Sequence, residues 1–209
     1  MFSSNARSVF ILGCFAAASA YSASNNNNSA MMTISVRGGT AAFVANTNVP
    51  AISVKGKSTA LEAKATLHRE NESLQVDHIE ARVPVKTLLT GMGVRDEHMR
   101  KYVFTTSDGK VPDLAFEGSN SACSGGRQAT CQIAGMLSIR GVSRPLSVPL
   151  KIREDGGGFK AEGDAIVKLS DYGIEQPSQL GVKTTNDVQL HFDFAAKAST
   201  GDQTSGSDK

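Results

Sequence analysis

Apolar and polar residues alternate along several short stretches of this chain. The longest stretch covers residues 74–83, and five further segments repeat the pattern: 33–36, 132–139, 146–153, 163–169 and 187–194. A period of two is typical of β-strands that bury one face. Turn-forming sequences separate the segments, among them Gly38-Gly39, Ser107-Asp108-Gly109 and residues 155–158. About eight strands at short spacing predict an all-β domain, either a sandwich or a barrel.

One segment departs from this pattern. Residues 93–104 repeat large side chains at steps of three and four, a spacing that places them on one helical face. These side chains belong to Val94, His98, Met99 and Tyr102. We therefore expect a short helix inserted between strands.

The start of the chain has the pattern of a signal peptide. Arg7 is the only charge in residues 1–23, an apolar run follows it, and small residues stand at Ala20 and Ala23, where a signal peptidase would cleave. The run is too short for a membrane span, which needs about 20 apolar residues. We expect removal of residues 1–23 and export to the periplasm or secretion. A buried N-terminal helix is the alternative.

Cys14 allows a second interpretation of the same segment. Residues 11–14 loosely match a bacterial lipoprotein box, in which the cysteine is acylated and anchors the chain. The apolar run continues beyond Cys14 to Ala18, which favours simple cleavage near Ala20 or Ala23. Lipoprotein anchoring at Cys14 stays the less favoured alternative.

Two polar segments flank the part of the chain that can form a core. Residues 24–31 and 199–209 are rich in small polar residues and cannot bury enough surface to offset their ordering entropy. We expect a flexible leader and a disordered tail. Residues 32–198 remain as one domain, which is long enough to bury a core.

Charge and motif content narrow the function classes. The formal net charge is +2 and the 22 Lys and Arg residues are scattered along the chain, whereas nucleic-acid binding needs a basic stripe. No dinucleotide, P-loop, zinc-protease or nucleophile-elbow motif is present in the sequence. We therefore expect no nucleic-acid partner, no metal site and no catalytic function.

Cys123 and Cys131 bracket a turn-like segment, residues 124–130. In an oxidising compartment, two cysteines at the ends of a hairpin loop are typical of a disulfide. The alternative is a pair of metal ligands, but no histidine or second cysteine pair lies nearby in the sequence. The disulfide is the favoured prediction.

Three motifs, taken in order, carry a family resemblance. They are TLLTG at residues 87–91 with RDEHM at 95–99, LSIRGVSRPL at 137–146, and LSDYGI at 169–174. In sequence and spacing they resemble the signatures of the YceI-like family, which comprises periplasmic, lipocalin-like proteins that bind polyisoprenoids. The resemblance covers residues 32–198.

The resemblance implies both a fold and a set of ligand contacts. The fold would be an eight-stranded antiparallel lipocalin-like barrel with a short inserted helix near residues 93–104. Such a barrel has room for one elongated ligand, here a polyisoprenoid or an isoprenoid quinone. The side chains near the motifs that would contact this apolar lipid are Phe43, Arg95, His98, Met99, Phe104, Phe116, Tyr172 and Ile174.

The charged cluster from Arg95 to His98 allows three interpretations. Its side chains could grip a lipid head group at the barrel mouth, or they could cap the helix and anchor it through ion pairs. A catalytic acid–base pair of Asp96 and His98 is disfavoured, because residues two apart on a helix do not face each other.

Two functions compete at this point. The favoured one is an exported lipid-binding protein that sequesters or carries a long apolar ligand in the barrel. The alternative is an envelope stress-related structural protein whose interior is filled by its own side chains and which acts through a protein partner. An apolar cavity larger than about 300 Å³ favours ligand binding. Homodimerisation stays open.

Overall fold

The computed structural model describes residues 31–70 and 73–200. The strands in this part of the chain are β1 Met31–Thr47, β2 Ser53–Glu70, β3 Ser73–Val83, β4 Leu114–Ser124, β5 Gln128–Ile139, β6 Val142–Asp155, β7 Gly158–Lys168, β8 Ser178–Gln179 and β9 Val182–Thr200. Between β3 and β4 lie a 3₁₀ turn (Val85–Thr87), helix α1 (Gly93–Met99) and a π-helical turn (Arg100–Phe104). A second 3₁₀ turn (Leu169–Tyr172) follows β7.

Antiparallel pairing closes the sheet on itself. The strands are hydrogen-bonded in the order β1 to β7 and then β9, and β9 returns to pair with β1. The two-residue β8 pairs with β9 and forms a small hairpin with it. The eight long strands therefore form the predicted closed antiparallel barrel, and α1 is the predicted helix, inserted between β3 and β4.

Two of the strands lie outside the six segments in which alternation predicted a strand. β2 alternates from Leu61 to Leu67, but three of its residues between Lys55 and Ala65 are alanine, which is depleted in strands generally. β4 contains Gly118 and several serines. Both segments are strands because they pair over long registers with β1, β3 and β5. Tertiary pairing thus overrides a weak local preference.

A β-bulge in β1 changes which residues face the interior. Even-numbered residues such as Val36 are buried before it and odd-numbered residues such as Ala41 after it, because the register against β2 shifts twice around Gly39. A Cβ at Gly39 would lie only 2.7 Å from the Cβ of Phe194, so a side chain does not fit there. The bulge bends the strand and adds to the curvature that a closed barrel needs.

A packed core closes one end of the barrel. Its inward side chains include Ile34, Val36, Leu67, Leu74, Val76, Ile133, Leu150 and Phe159. Cys123 and Cys131 are directly opposed across β4 and β5, with their Cα atoms 4.0 Å apart, and form the predicted disulfide inside this core. The opposite end, where α1 lies, is open.

Several predictions concern residues outside the described part of the chain. They are the signal peptide at 1–23, lipidation of Cys14, most of the polar leader, and residues 201–209 of the tail. The strands begin at Met31 and end at Thr200, slightly beyond the predicted domain limits of 32 and 198. Within the described residues, no helix is long and apolar enough to cross a membrane.

Candidate functional site

The barrel contains an apolar cavity that opens at the end where α1 lies. Its volume is about 910 Å³, within the range of about 300–1,000 Å³ that is typical of small-molecule sites. Residues between Thr184 and Phe194 of β9 line it. At about 3.4 Å per residue and a strand tilt of about 40°, this stretch covers roughly 25 Å along the barrel axis. The cavity therefore has the long shape that suits a chain-like molecule.

The cavity exists because one part of the wall carries small side chains. Ala41, Ala63 and Ala81 line it from β1, β2 and β3. The wall from β5 round to β9 carries larger side chains, which include Leu137, Ile139, Leu146, Val148, Val167, Val188, Leu190 and Phe192. An eight-stranded barrel is just wide enough for side chains to fill its interior. Alanine on one side therefore leaves the space that larger residues would occupy.

Two phenylalanine rings in the wall pack where glycine leaves room. A Cβ at Gly56 would lie 2.7 Å from Cζ of Phe43, and a Cβ at Gly135 would lie 2.7 Å from Cζ of Phe116. Each ring therefore packs against the backbone of a neighbouring strand. Both rings line the cavity and are only half-buried, because they face its open space.

Three segments frame the mouth of the cavity: the α1 region, the β1–β2 turn and the β8–β9 hairpin. Their mouth-lining residues are Thr47, Ile52, Arg95, His98, Met99, Tyr102, Val103, Ser178, Gln179 and Leu180. The mouth thus combines polar and apolar groups, whereas the described residues deeper in the barrel are almost all apolar.

Asp96 anchors α1 to the loop that precedes it. Its buried carboxylate accepts hydrogen bonds from the backbone N–H of Thr90, at 2.7 Å, and from the Thr90 hydroxyl. Arg95 holds the same loop, since Nε donates to Thr90 Oγ1 at 2.9 Å and Nη2 donates to Thr90 O at 2.8 Å. The hydroxyl of Thr90 holds the pKa of Asp96 below its usual value of 3.8. These bonds form a clamp that positions α1 at the mouth.

We expect Asp96→Ala to lower the free energy of unfolding by about 1–2 kcal/mol, because the Thr90 N–H loses its acceptor. Asp96→Asn keeps an oxygen acceptor and should cost less. Since folding lowers this pKa, ionised Asp96 stabilises the fold above pH 3.8, and the contribution is lost as the pH falls below that value. Urea unfolding of both variants at neutral pH and below pH 3.8 measures the effect. Equal stability of Asp96→Ala and wild type would rule out the clamp.

Asp96 and His98 do not form an acid–base pair. The carboxylate of Asp96 is occupied by Thr90, whereas His98 is exposed and meets Tyr102 edge-on, with the ring centroids 5.7 Å apart. In residues 31–70 and 73–200, no group of three or more His, Cys, Asp or Glu side chains could hold a metal ion. Arg95 and Asp96 of the charged cluster anchor the helix through hydrogen bonds to Thr90, and Arg95 and His98 also line the mouth.

The other two sequence motifs form a collar at the same end of the barrel. Arg140 and Gly141, with φ of +53° and +75°, make the tight turn between β5 and β6. Nε of Arg144 donates to the carbonyl of Asp171 at 2.7 Å and so ties this hairpin to the 3₁₀ turn after β7. That turn ends at Gly173, whose backbone adopts the left-handed conformation. All three motifs therefore meet around the cavity mouth, although they are far apart in the sequence.

A match to a family model identifies the family of this chain. The model of the YceI-like domain matches residues 24–196, most of the chain. The chain belongs to the YceI-like family. The resemblance predicted from the motifs at 87–99, 137–146 and 169–174 is therefore confirmed, and the clamp and the collar show what those motifs build in this member.

Curated relatives of this YceI-like protein include UPF0312 proteins. One from Pseudomonas paraeruginosa is 29% identical over 126 residues, which is 57% of this chain and 63% of the relative. Another from Azotobacter vinelandii is 34% identical over 88 residues, 39% of this chain and 44% of the relative. The chain thus spans less than two thirds of the length of these relatives.

Solved structures share the fold. A polyisoprenoid binding domain from Saccharophagus degradans matches with a TM-score of 0.60 at 13% identity, over 82% of this chain and 99% of that one. BcnA of Burkholderia cenocepacia gives 0.58 at 15% identity, over 80% and 96%. The YceI protein of Campylobacter jejuni gives 0.56 at 17% identity, over 71% and 86%. At such identities the similarity establishes the barrel fold alone.

The structure brings most of the predicted ligand-binding residues of this YceI-like protein onto the cavity wall. They are Phe43, Arg95, His98, Met99, Phe104, Phe116 and Ile174. Tyr172 does not line the cavity. Its side chain is only 3% exposed and packs in the collar with Leu169 and Ile174. This burial raises the pKa of the Tyr172 hydroxyl.

Sequence reasoning missed two parts of the wall. Phe192 and Phe194 line the cavity from β9, and their signal was present, because both stand on the apolar face of an alternating segment. Ala41, Ala63 and Ala81 gave no signal. An alanine that borders a cavity looks the same in a sequence as an alanine in a tightly packed core.

Proposed function

We propose that this protein holds a long apolar lipid of the polyisoprenoid class, such as an isoprenoid quinone, inside its barrel and sequesters or carries it after export. The observation that carries this proposal is the apolar cavity of about 910 Å³. The Saccharophagus degradans domain with the same fold is described as polyisoprenoid binding, which supports the same class of ligand here.

The energetics favour an elongated apolar ligand. Each CH₂-sized unit transferred from water contributes about 0.8 kcal/mol, so about ten units supply roughly 8 kcal/mol before the cost of ordering the ligand is subtracted. Apolar side chains line the cavity from its mouth at Val182 to Ile133 near the closed core. A ligand bound in this way needs few polar contacts.

The polar groups at the mouth support a head-group position there. Arg95 and His98 lie on α1, and Thr47, Ser178 and Thr184 lie on the other mouth segments. An amphiphilic ligand would find hydrogen-bond partners for its polar end at the mouth, while its apolar chain lies deeper in the barrel. Contacts of Arg95 and His98 with a head group are part of this proposal.

We also propose that the protein binds its lipid without catalysing a reaction. The clamp occupies Asp96, so the charged cluster offers no acid–base pair. The alternative of a structural protein with a filled interior requires side chains to occupy the barrel. The cavity of about 910 Å³ is about three times the smallest volume typical of ligand sites, which supports ligand binding over a filled interior.

Export completes the proposal. Residues 1–23 have the sequence pattern of a signal peptide. Cys123 and Cys131 form a disulfide, a bond that persists in oxidising compartments such as the bacterial periplasm. We propose that the mature protein acts in the periplasm or outside the cell.

Native mass spectrometry of the protein purified from its own host tests the ligand. We expect a mass excess equal to one apolar molecule, which organic extraction releases and fragmentation identifies as a prenyl chain. The protein expressed without that lipid should bind an added prenyl quinone. A protein that carries no lipid and also fails to bind prenyl quinones would refute the proposal.

A further inference from the structure

Exposed apolar side chains surround the cavity mouth. Ile52 in the β1–β2 turn is 47% exposed, Tyr102 after α1 is 61% exposed, and Leu180 at the tip of the β8–β9 hairpin is 96% exposed. All three line the mouth, and we call them the apolar rim. They come from three separate elements, so their convergence is a property of the fold and not of one hydrophobic stretch.

Leu180 is an unexpected residue at its position. Leu180 and Gly181 form the two-residue turn between β8 and β9, and both have positive φ, +50° and +80°. Such hairpin turns favour Asn-Gly, because asparagine tolerates positive φ and leucine is disfavoured there. The Leu180 side chain is almost fully exposed, so burial within the barrel does not offset this strain. A contact outside the chain would explain why leucine stands here.

Hydrogen bonds connect two of the three segments that carry the rim. Nδ2 of Asn48 donates to the carbonyl of Gly181 at 3.2 Å, and Oδ1 of Asn48 accepts from the N–H of Lys183 at 2.8 Å. The hydroxyl of Thr47 donates to the carbonyl of Ile52 at 2.9 Å. These bonds join the β1–β2 turn to the β8–β9 hairpin. The two apolar tips are therefore positioned before any partner binds.

Basic residues lie in the same three segments as the apolar rim. Segments 47–58, 93–104 and 175–184 carry six Lys or Arg residues and three acidic ones, and the clamp buries one of the acidic residues, Asp96. Lys101 Nζ lies 5.2 Å from the ring centroid of Tyr102, and Lys183 lies three residues from Leu180. The whole chain has a net charge of only +2. The segments that carry the rim therefore hold more basic than acidic residues.

We propose that the apolar rim docks on the surface of a bilayer that contains anionic lipids, with the cavity mouth against the membrane. Apolar side chains that enter the interface and basic residues that stay near the head groups are the two features that bind peripheral proteins to such surfaces. Tyrosine is suited to the interface, because its ring is apolar and its hydroxyl is polar. A second copy of this chain is a poorer partner, since a two-fold contact would bring two basic faces together.

Vesicle flotation of the purified protein tests the docking. We expect binding to vesicles of phosphatidylcholine with phosphatidylglycerol, weaker binding to phosphatidylcholine alone, and loss of binding as salt increases. Leu180→Asn should lower the partition coefficient about tenfold. Because asparagine suits the positive φ, this variant should melt no lower than the wild type. The matched control is Ile166→Thr, which removes a side chain that is 62% exposed on the outer wall of β7 and should change binding less than about twofold.

Three results would overturn the docking proposal. They are no binding of the wild type to anionic vesicles, equal binding of wild type and Leu180→Asn, and light scattering that shows a dimer that Leu180→Asn dissociates. The vesicles contain no polyisoprenoid, so the experiment does not depend on the proposed ligand. A protein that binds vesicles but no prenyl lipid would leave the docking intact and refute the proposed function.

Discussion

The double variant Ala63→Phe with Ala81→Phe is expected to abolish binding of a long apolar lipid while the barrel stays folded. Ala63 and Ala81 are directly opposed on β2 and β3, and both line the cavity. Two phenyl rings at this level would close the interior, because an eight-stranded barrel is barely wider than its side chains. Exclusion of about five CH₂-sized units costs about 4 kcal/mol, or roughly a thousandfold in the dissociation constant.

Titration with a fluorescent prenyl quinone analogue measures the loss, and native mass spectrometry should show the variant without bound lipid. The matched control is Lys64→Phe with Glu80→Phe, because these two residues are also directly opposed on β2 and β3 and both are exposed on the outer face. The control should bind like the wild type. Unchanged affinity in the double variant, with its fold intact by circular dichroism, would show that the ligand does not use this part of the cavity.

Removal of the disulfide is expected to have the largest effect on stability. The bond between Cys123 and Cys131 closes a loop with a sequence separation of 8. Cross-linking a loop of this length stabilises the fold by about 2–3 kcal/mol, mainly by restricting the unfolded chain. The variant Cys123→Ala with Cys131→Ala should therefore melt roughly 5–10 °C below the wild type.

Differential scanning calorimetry measures this shift, and the wild type in a strong reductant should match the variant. Ser124→Ala, next to the bridge on an exposed position of β4, is the control and should shift the melting temperature little. Lipid affinity at temperatures where the protein is folded should not change, because neither cysteine lines the cavity. A wild type that is insensitive to reductant and equal to the variant would show that the bridge contributes nothing.

Local patterns predicted the strands that bear one polar and one apolar face. The segment at 187–194 alternates because β9 contacts the interior through Leu190 and Phe192 and solvent through His191 and Asp193. β2 alternates as well, from Leu61 to Leu67, but two of its four inward residues there are alanine, which gives a weaker signal. Its inward residues Ala63 and Ala65 are small and weakly β-forming, and they become strand residues through pairing with β1 and β3.

The motifs predicted the family and the fold, but the contacts at the mouth show that some motif residues have a structural role and do not line the cavity. Asp96 belongs to the clamp with Thr90, and Tyr172 to the collar. No spacing rule separates a buried anchor from a residue on the cavity wall when both lie in one motif. The direction of each side chain depends on helix and strand packing that is distant in the sequence.

The sequence by itself determined the all-β class, the inserted helix, the cysteine pair and the family, because each of these depends on residues close together in the chain or on short motifs. Only the tertiary structure decided the cavity and its mouth. The space inside the barrel depends on Ala41, Ala63 and Ala81 facing larger residues across the interior. The apolar rim depends on Ile52, Tyr102 and Leu180, which are far apart in sequence and line one cavity mouth only in the folded barrel.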